Sequence, residues 1–190
     1  MPEYTRDQIR DMLISDQVVD GLIKFLEEFF STFPQLTWDS DETKTKILIH
    51  DFDAFNLESV DKRPRIAVEL VESRWNNLLV NNMQKWSFIQ GTKEISDLVQ
   101  STVTLHCISQ VSLEAKNIAD IVFEMVRIFR EELRRETGFF EVDSVYIGRE
   151  QRVRTSSQPE VRSVPITLKV LIQRRALKIL DRQKYMAFGP

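Results

Sequence analysis

Apolar positions recur every three or four residues through Val18, Val19, Leu22, Ile23, Leu26, Phe29, Phe30 and Phe33, so they share one stripe of a helix. Ser15 or Asp16 can cap this helix and Pro34 ends it, which predicts an amphipathic helix over 16–33 that needs cover. Ahead of it, Thr5 and Gln8 are spaced as a capping box and predict a short helix over 6–14. The period then shortens. After an acidic loop from Pro34 to Lys46, Ile47-Leu48-Ile49 is short and apolar enough for a strand. Beyond a turn-like stretch from Asn56 to Pro64, Ile66, Val68 and Leu70 point one way in a strand over 65–71. Val99, Val103, Leu105 and Cys107 alternate with Thr102, Thr104 and His106, predicting a strand over 98–109.

Residues 73–96 set Trp75, Leu78, Leu79, Val80, Met83 and Trp86 among Asn, Gln and Gly without a clean period, as a long hairpin or irregular excursion would. A helix starts at Ser112 and runs to about Glu136, with Ala115, Ile118, Val122, Met125, Phe129 and Leu133 on one stripe and Gly138 as its stop. Lys116, Asp120, Glu124, Arg127, Glu131, Arg134 and Arg135 form its outer face. Strands over 139–147 and 161–173 follow, the second with Val164, Ile166, Leu168, Val170 and Ile172 in strict alternation. Pro165 lacks an N–H, so that strand is expected to have an unpaired edge at this point. Between the two strands, Gly148 to Glu160 is a polar loop or projecting hairpin tip that bears Arg149, Arg152 and Arg154. The chain closes on a basic segment with Arg174, Arg175, Lys178 and Arg182, read as an arm too small to pack alone.

These elements specify a single α+β domain, a mostly antiparallel sheet covered by two main helices, over 16–33 and 113–136. Residues 1–45 are expected to form an N-terminal helical segment and acidic loop, 46–173 the core, and 174–190 a basic C-terminal arm. A length of 190 residues suits one domain, and apolar content of 42% with twelve Phe supplies a sizeable core.

Neither a membrane span nor a secretory signal is expected, because no apolar run exceeds four residues and Met1 to Thr5 is neither basic nor apolar. The chain is therefore expected in the cytoplasm that makes it. One cysteine, Cys107, cannot form an internal disulfide, and two histidines, His50 and His106, are too few for a structural zinc site. His50-Asp51-Phe52-Asp53 offers an imidazole and two carboxylates to a divalent metal, which makes a metal-dependent hydrolase one rival reading, although further ligands are scarce. Cys107 and His106 are adjacent, so in a strand they face opposite ways and do not form a nucleophile and base pair. Without a Gly-rich phosphate loop, G-x-S-x-G or H-E-x-x-H, neither enzymatic activity nor a cofactor is expected.

The net charge of -3 is unevenly spread: residues 1–100 hold 11 Lys/Arg against 18 Asp/Glu, and residues 101–190 hold 15 against 11. An acidic front and a basic back suit subunits that meet front to back. Arg149, Arg152, Arg154, Arg174, Arg175, Lys178 and Arg182 are the candidate contact residues, since guanidinium groups bind carboxylates in bidentate fashion. As a nucleic-acid footprint they are thin, because Tyr185 alone stands beside them to stack a base.

The stretches Arg63-Pro64-Arg65-Ile66-Ala67-Val68-Glu69-Leu70, Ser96-Asp97-Leu98-Val99-Gln100-Ser101-Thr102-Val103-Thr104-Leu105, Ser112-Leu113-Glu114-Ala115 leading into Ile121-Val122-Phe123-Glu124, and Val164-Pro165-Ile166 occur in an order that resembles the tail terminator (neck) proteins of tailed bacteriophages. The resemblance covers residues 60–173 and rests on pattern, without a catalytic signature. It implies a small protein with helices against a sheet, assembled as a six-subunit ring on the last tail-tube ring. Such a ring stops tube growth and presents a surface to the head connector (stopper) protein, with DNA only passing through its lumen. It further implies a place at the virion neck and no membrane partner. The nearest rival is a head-closure or connector-adaptor protein, and from another class a nucleic-acid-binding protein using the basic tail. The first 45 residues and the basic tail lie outside the stretch that matches.

Overall fold

The computed structural model describes residues 14–53, 63–75, 83–87, 92–153 and 161–179. In chain order its elements are α1 (Ile14–Ser31), β1 (Leu48–Asp51), β2 (Arg65–Trp75), β3 (Met83–Ser87), β4 (Thr92–Ser109), α2 (Ser112–Ile128), α3 (Arg130–Thr137), β5 (Glu141–Ile147), β6 (Gln151–Val153) and β7 (Val161–Ile179). One sheet runs β1-β2-β4-β7-β5, with β3 added to β4 and β6 to β7. Only β1 against β2 is parallel among these pairings, so the chain is α+β with a mostly antiparallel sheet, as its pattern specifies. The expected short helix over 6–14 falls outside the described residues.

The alternating positions meet in rows. Ile66 pairs with Cys107 and Cys107 with Val164; Val68, Leu105 and Ile166 form the next row, and Leu70, Val103 and Leu168 the one after. All of these are buried except Leu70, which is partly exposed, because α1 lies over β1 and β2 while α2 lies over β4, β7 and β5. Helix α1 contributes Val18, Val19, Leu22, Phe25, Leu26 and Phe30 to this core, and α2 contributes Ala115, Ile118, Ala119, Val122, Met125 and Val126. Each fully buried Val, Leu, Ile or Phe side chain among them stabilises the fold by about 1.5–3 kcal/mol in transfer free energy.

The helix expected to run unbroken to Glu136 is interrupted at Phe129, whose φ of -98° and ψ of 31° leave the helical region. No glycine or proline marks the break. Its cause is tertiary: Arg130 reaches across to the Glu141 carboxylate and the Val142 carbonyl, drawing the last two turns toward β5. Phe129 is thereby 38% exposed and meets Phe29 edge-on at 6.0 Å, whereas Leu133 is fully buried. The stripe assigned from sequence is thus correct at Leu133 and wrong at Phe129. Gly138 ends α3 at φ 73°, a conformation that costs other residues free energy and glycine almost none.

The two longest strands outrun their predicted bounds. β4 and β7 pair continuously from Thr92 with Ile179 to Ser109 with Arg162. Arg174, Arg175 and Lys178 are therefore strand residues in register with Asp97, Ser96 and Lys93, and the basic segment continues the sheet through Ile179 instead of leaving it as an arm. The excursion over 73–96 contains β3, which pairs with Thr92–Ser96 and, among the described elements, touches β4 alone. Six further residue pairs carry the β4–β7 ribbon about 20 Å beyond Leu98 at the usual rise per strand residue.

Candidate interaction edge

Strand β5 and its continuation β6 form one edge of the sheet. β5 pairs with β7 up to Ile147 opposite Ile166, and β6 resumes at Gln151 opposite Ser163. Pro165 sits between these two ladders. Its carbonyl accepts from the Gly148 N–H at 2.7 Å, so its missing donor falls where the neighbouring strand bows out. The unpaired point expected from sequence is real, although β7 is an interior strand and not an edge. At Gly148 a Cβ would stand 2.8 Å from the Pro165 ring, so the close approach of the two backbones demands glycine.

Glu150 ties the turn between β5 and β6 to the rest of the fold. Glu150 Oε2 accepts from the Ser112 hydroxyl at 2.9 Å and pairs with Lys116 Nζ at 3.0 Å, while Oε1 lies 3.6 Å from Arg162. One carboxylate thus joins the β5–β6 turn to the start of α2 and to β7. Within that start, Ser109 Oγ accepts from the Val111 N–H at 3.1 Å and donates to the Glu114 carboxylate. The polar stretch expected as a loop or hairpin tip therefore opens as a hairpin stem, Gln151–Val153 against Val161–Ser163.

The hydrogen bonds from Lys116 and Ser112 hold the Glu150 carboxyl below its ordinary value, aided by the charges of Lys116 and Arg162. Folding therefore favours the ionised form, so its contribution is complete above the ordinary carboxylate value of 4.5 and fades as pH falls through the lower native one. Glu150→Gln should lower the melting temperature at pH 7, and the gap from wild type should close as pH is taken well below 4.5. Calorimetric scans across that range check it, and a gap constant with pH would contradict the assignment.

Arg149 and Arg152, predicted as contact residues, are both exposed on this edge. Tyr146 and Ile147 immediately before them are 50% and 39% exposed, a pairing of apolar and cationic groups that single-residue reading of the sequence did not select. Arg154 and Arg182 lie outside the described residues, and Arg174, Arg175 and Lys178 are placed on the far ribbon of β7, away from this edge. The loop and closing-segment candidates thus remain two separate groups.

The other candidate chemistry separates. Cys107 is fully buried and burial pushes its thiol far above the usual range, while His106 points to the opposite face and bonds Glu69 Oε2 at 2.8 Å. The Phe52 ring lies 4.9 Å from His106 on that face. Cys107 should react with a maleimide at a rate set by unfolding; mass spectrometry of native and urea-treated protein tests this, and comparable labelling of both would refute it. Burial, with Arg65 nearby, lowers the His50 pKa against the opposing pull of Asp51. Among the described residues no group of three or more His, Cys, Asp or Glu side chains is arranged to hold a metal ion, and no helix is long and apolar enough to cross a membrane.

No family model matches this chain, and no curated protein matches it either.

Proposed function

We propose that the chain is a structural virion protein of a tailed bacteriophage, a tail terminator that caps the tail tube as a six-subunit ring, ends elongation and joins the tail to the head connector. The observation that carries this reading is the arrangement of the described helices on the sheet. Two helices cover one face of a mostly antiparallel sheet, and β4 and β7 continue together to Thr92 and Ile179. This is the kind of architecture that the resemblance in element order implies, and the ribbon supplies the reach that contacts between ring neighbours need.

In the proposed mechanism one ring face matches the last ring of the tube and the other matches the connector. The function is then geometric: a repeated contact between unlike surfaces of identical subunits closes into a ring, and the ring offers the growing tube no site for the next subunit. Its partners are its own copies, the tail tube protein and the connector, with DNA only passing through. The site of action is the virion neck, after synthesis in the host cytoplasm.

Adding the purified chain to polymerising tail tube protein of the same phage tests this directly. The expected result is shorter tubes with a ring at one end by electron microscopy. Tubes of unchanged length and bare ends would overturn the reading, and salt-sensitive binding to free DNA instead would favour the nucleic-acid alternative.

A further inference from the structure

Resting on the ring reading, we propose that the outer edge of β7 over residues 172–179 pairs with the outer edge of β3 in the next copy, so that the ribbons of a ring close into one barrel. Over the helix-covered part of the sheet β4 lies beside β2, and β7 beside β5. Farther along, β4 lies beside β3, and among the described strands β7 has no neighbour on its other side past Leu171. The ribbon is thus three strands wide, in the order β3-β4-β7, with one strand edge on either side. Each such edge holds a row of backbone N–H and C=O groups that another strand can satisfy.

The register sets the two edges level. Met83 is in line with Ser96 and Arg175, and Ser87 with Thr92 and Ile179. Because β3 is antiparallel to β4 and β4 to β7, β3 and β7 run in the same direction. Turning one copy about an axis near the strand direction therefore lays its β3 alongside β7 of the first as a parallel pair. The contact joins unlike edges, so it is heterologous and repeats from copy to copy until the rotation closes.

The lengths of the edges suit closure. Strands of a barrel are staggered, and the shear that tilts an eight-stranded barrel by about 36° is about one residue per strand. For a ribbon three strands wide that comes to about three residues per subunit. β3 has five residues, and the outer edge of β7 has eight, which leaves room for a slide of that size toward Leu171. Six ribbons give a barrel of about 18 strands, roughly 34 Å across at the backbone, and barrels of 16–18 strands enclose an open aqueous channel. Such a channel is what a ring that lets DNA pass requires.

Charge selects the partner edge. Residues 172–179 carry Arg174, Arg175 and Lys178 and no carboxylate, β3 carries Lys85 alone, and residues 92–97 of β4 between them carry Lys93, Glu94 and Asp97. Two β7 edges brought together set three cations against three, whereas β7 against β3 sets three against one, so unlike edges repel less than like ones.

Cysteine pairs in the full chain test the contact. Within one chain β3 and β7 lie two strand spacings apart, about 10 Å, farther than a disulfide spans, so a bond between them forms only between copies. Cys107 is buried and takes no part. Lys85→Cys is combined in turn with a cysteine at each position from 172 to 179, and the oxidised chains are separated without reductant. The expected result is a covalent ladder ending at six chains for one or two neighbouring positions, and monomers for Lys85→Cys alone. Scanning eight positions keeps the test open if one variant fails to fold by circular dichroism. Variants that assemble as wild type does by sedimentation velocity yet give no ladder at any position would overturn the edge pairing and leave the ring intact. Dimers from Lys85→Cys alone would overturn it too, in favour of a two-fold contact. A wild-type chain that never assembles, alone or on tube ends, would remove the ring reading and the barrel with it.

Discussion

Leu133→Asp should abolish the cooperative unfolding transition, whereas Phe129→Asp should leave a folded protein destabilised by a clearly smaller margin. Both residues lie on the apolar stripe of one helical pattern, four positions apart, so sequence alone ranks them together. The break at Phe129 separates them: Leu133 is fully buried, while Phe129 is 38% exposed and touches Phe29 at its ring edge. A carboxylate at Leu133 must be desolvated without a partner, at a cost on the order of 4–5 kcal/mol or more, a large share of a typical domain's stability. At Phe129 the carboxylate stays in water, and loss of the ring's partial burial and of its edge contact costs about 2 kcal/mol. Urea denaturation followed by circular dichroism distinguishes the two, and equal losses would show that the helix continues unbroken.

Phe30→Ala should cost about 3–5 kcal/mol, the range for deleting a fully buried aromatic side chain and leaving its cavity. Phe30 is fully buried, edge-on to Phe29 at 5.2 Å and to Phe33 at 6.0 Å. Its carbonyl also receives the N–H groups of Phe33 at 3.2 Å and Trp38 at 3.1 Å, so the backbone here turns α1 into the acidic loop. Damage at Phe30 should therefore reach the acidic loop as well as the core. The denaturation midpoint of Phe30→Ala against Phe33→Ala, which removes a partly exposed ring, provides the check. A smaller loss at Phe30 would contradict the packing described.

Much of the fold was legible because burial on one face imposes a simple period. Val164, Ile166, Leu168, Val170 and Ile172 alternate since the helices cover only one side of β7, and all five are buried. The same logic separates Cys107 from His106. What the pattern missed has physical reasons. Thr92 to Asp97 pairs as strand through its backbone while offering Ile95 as its one strongly apolar residue, so period-two reading had little to find. Val71 sits at a register shift between Leu70 and Glu72 and is 53% exposed, which interrupts the count of faces along β2. The break at Phe129 depends on Arg130 reaching Glu141 and Val142, a contact made by folding and invisible in local sequence.

The candidate site was legible only in part. Arg149 and Arg152 stand out by composition, but the carboxylate that ties the β5–β6 turn to the fold, Glu150, looks like any surface carboxylate until Ser112, Lys116 and Arg162 are brought to it. The exposure of Tyr146 and Ile147 follows from β5 being an edge strand, and strand order is not encoded in any local pattern. Conversely, the tail arginines read from sequence as a separate closing arm because their segment is short and only weakly amphipathic. The long β7 strand carries Arg174 and Arg175 to the opposite end of the sheet from β6.

The measurement that tests the account most directly is electron microscopy of lysates from a phage with a stop codon early in this gene. A tail terminator predicts filled heads lying apart from overlong or unjoined tails. Leaking heads beside tails of normal length would transfer the protein to head closure, and intact, joined particles would contradict its placement at the neck altogether.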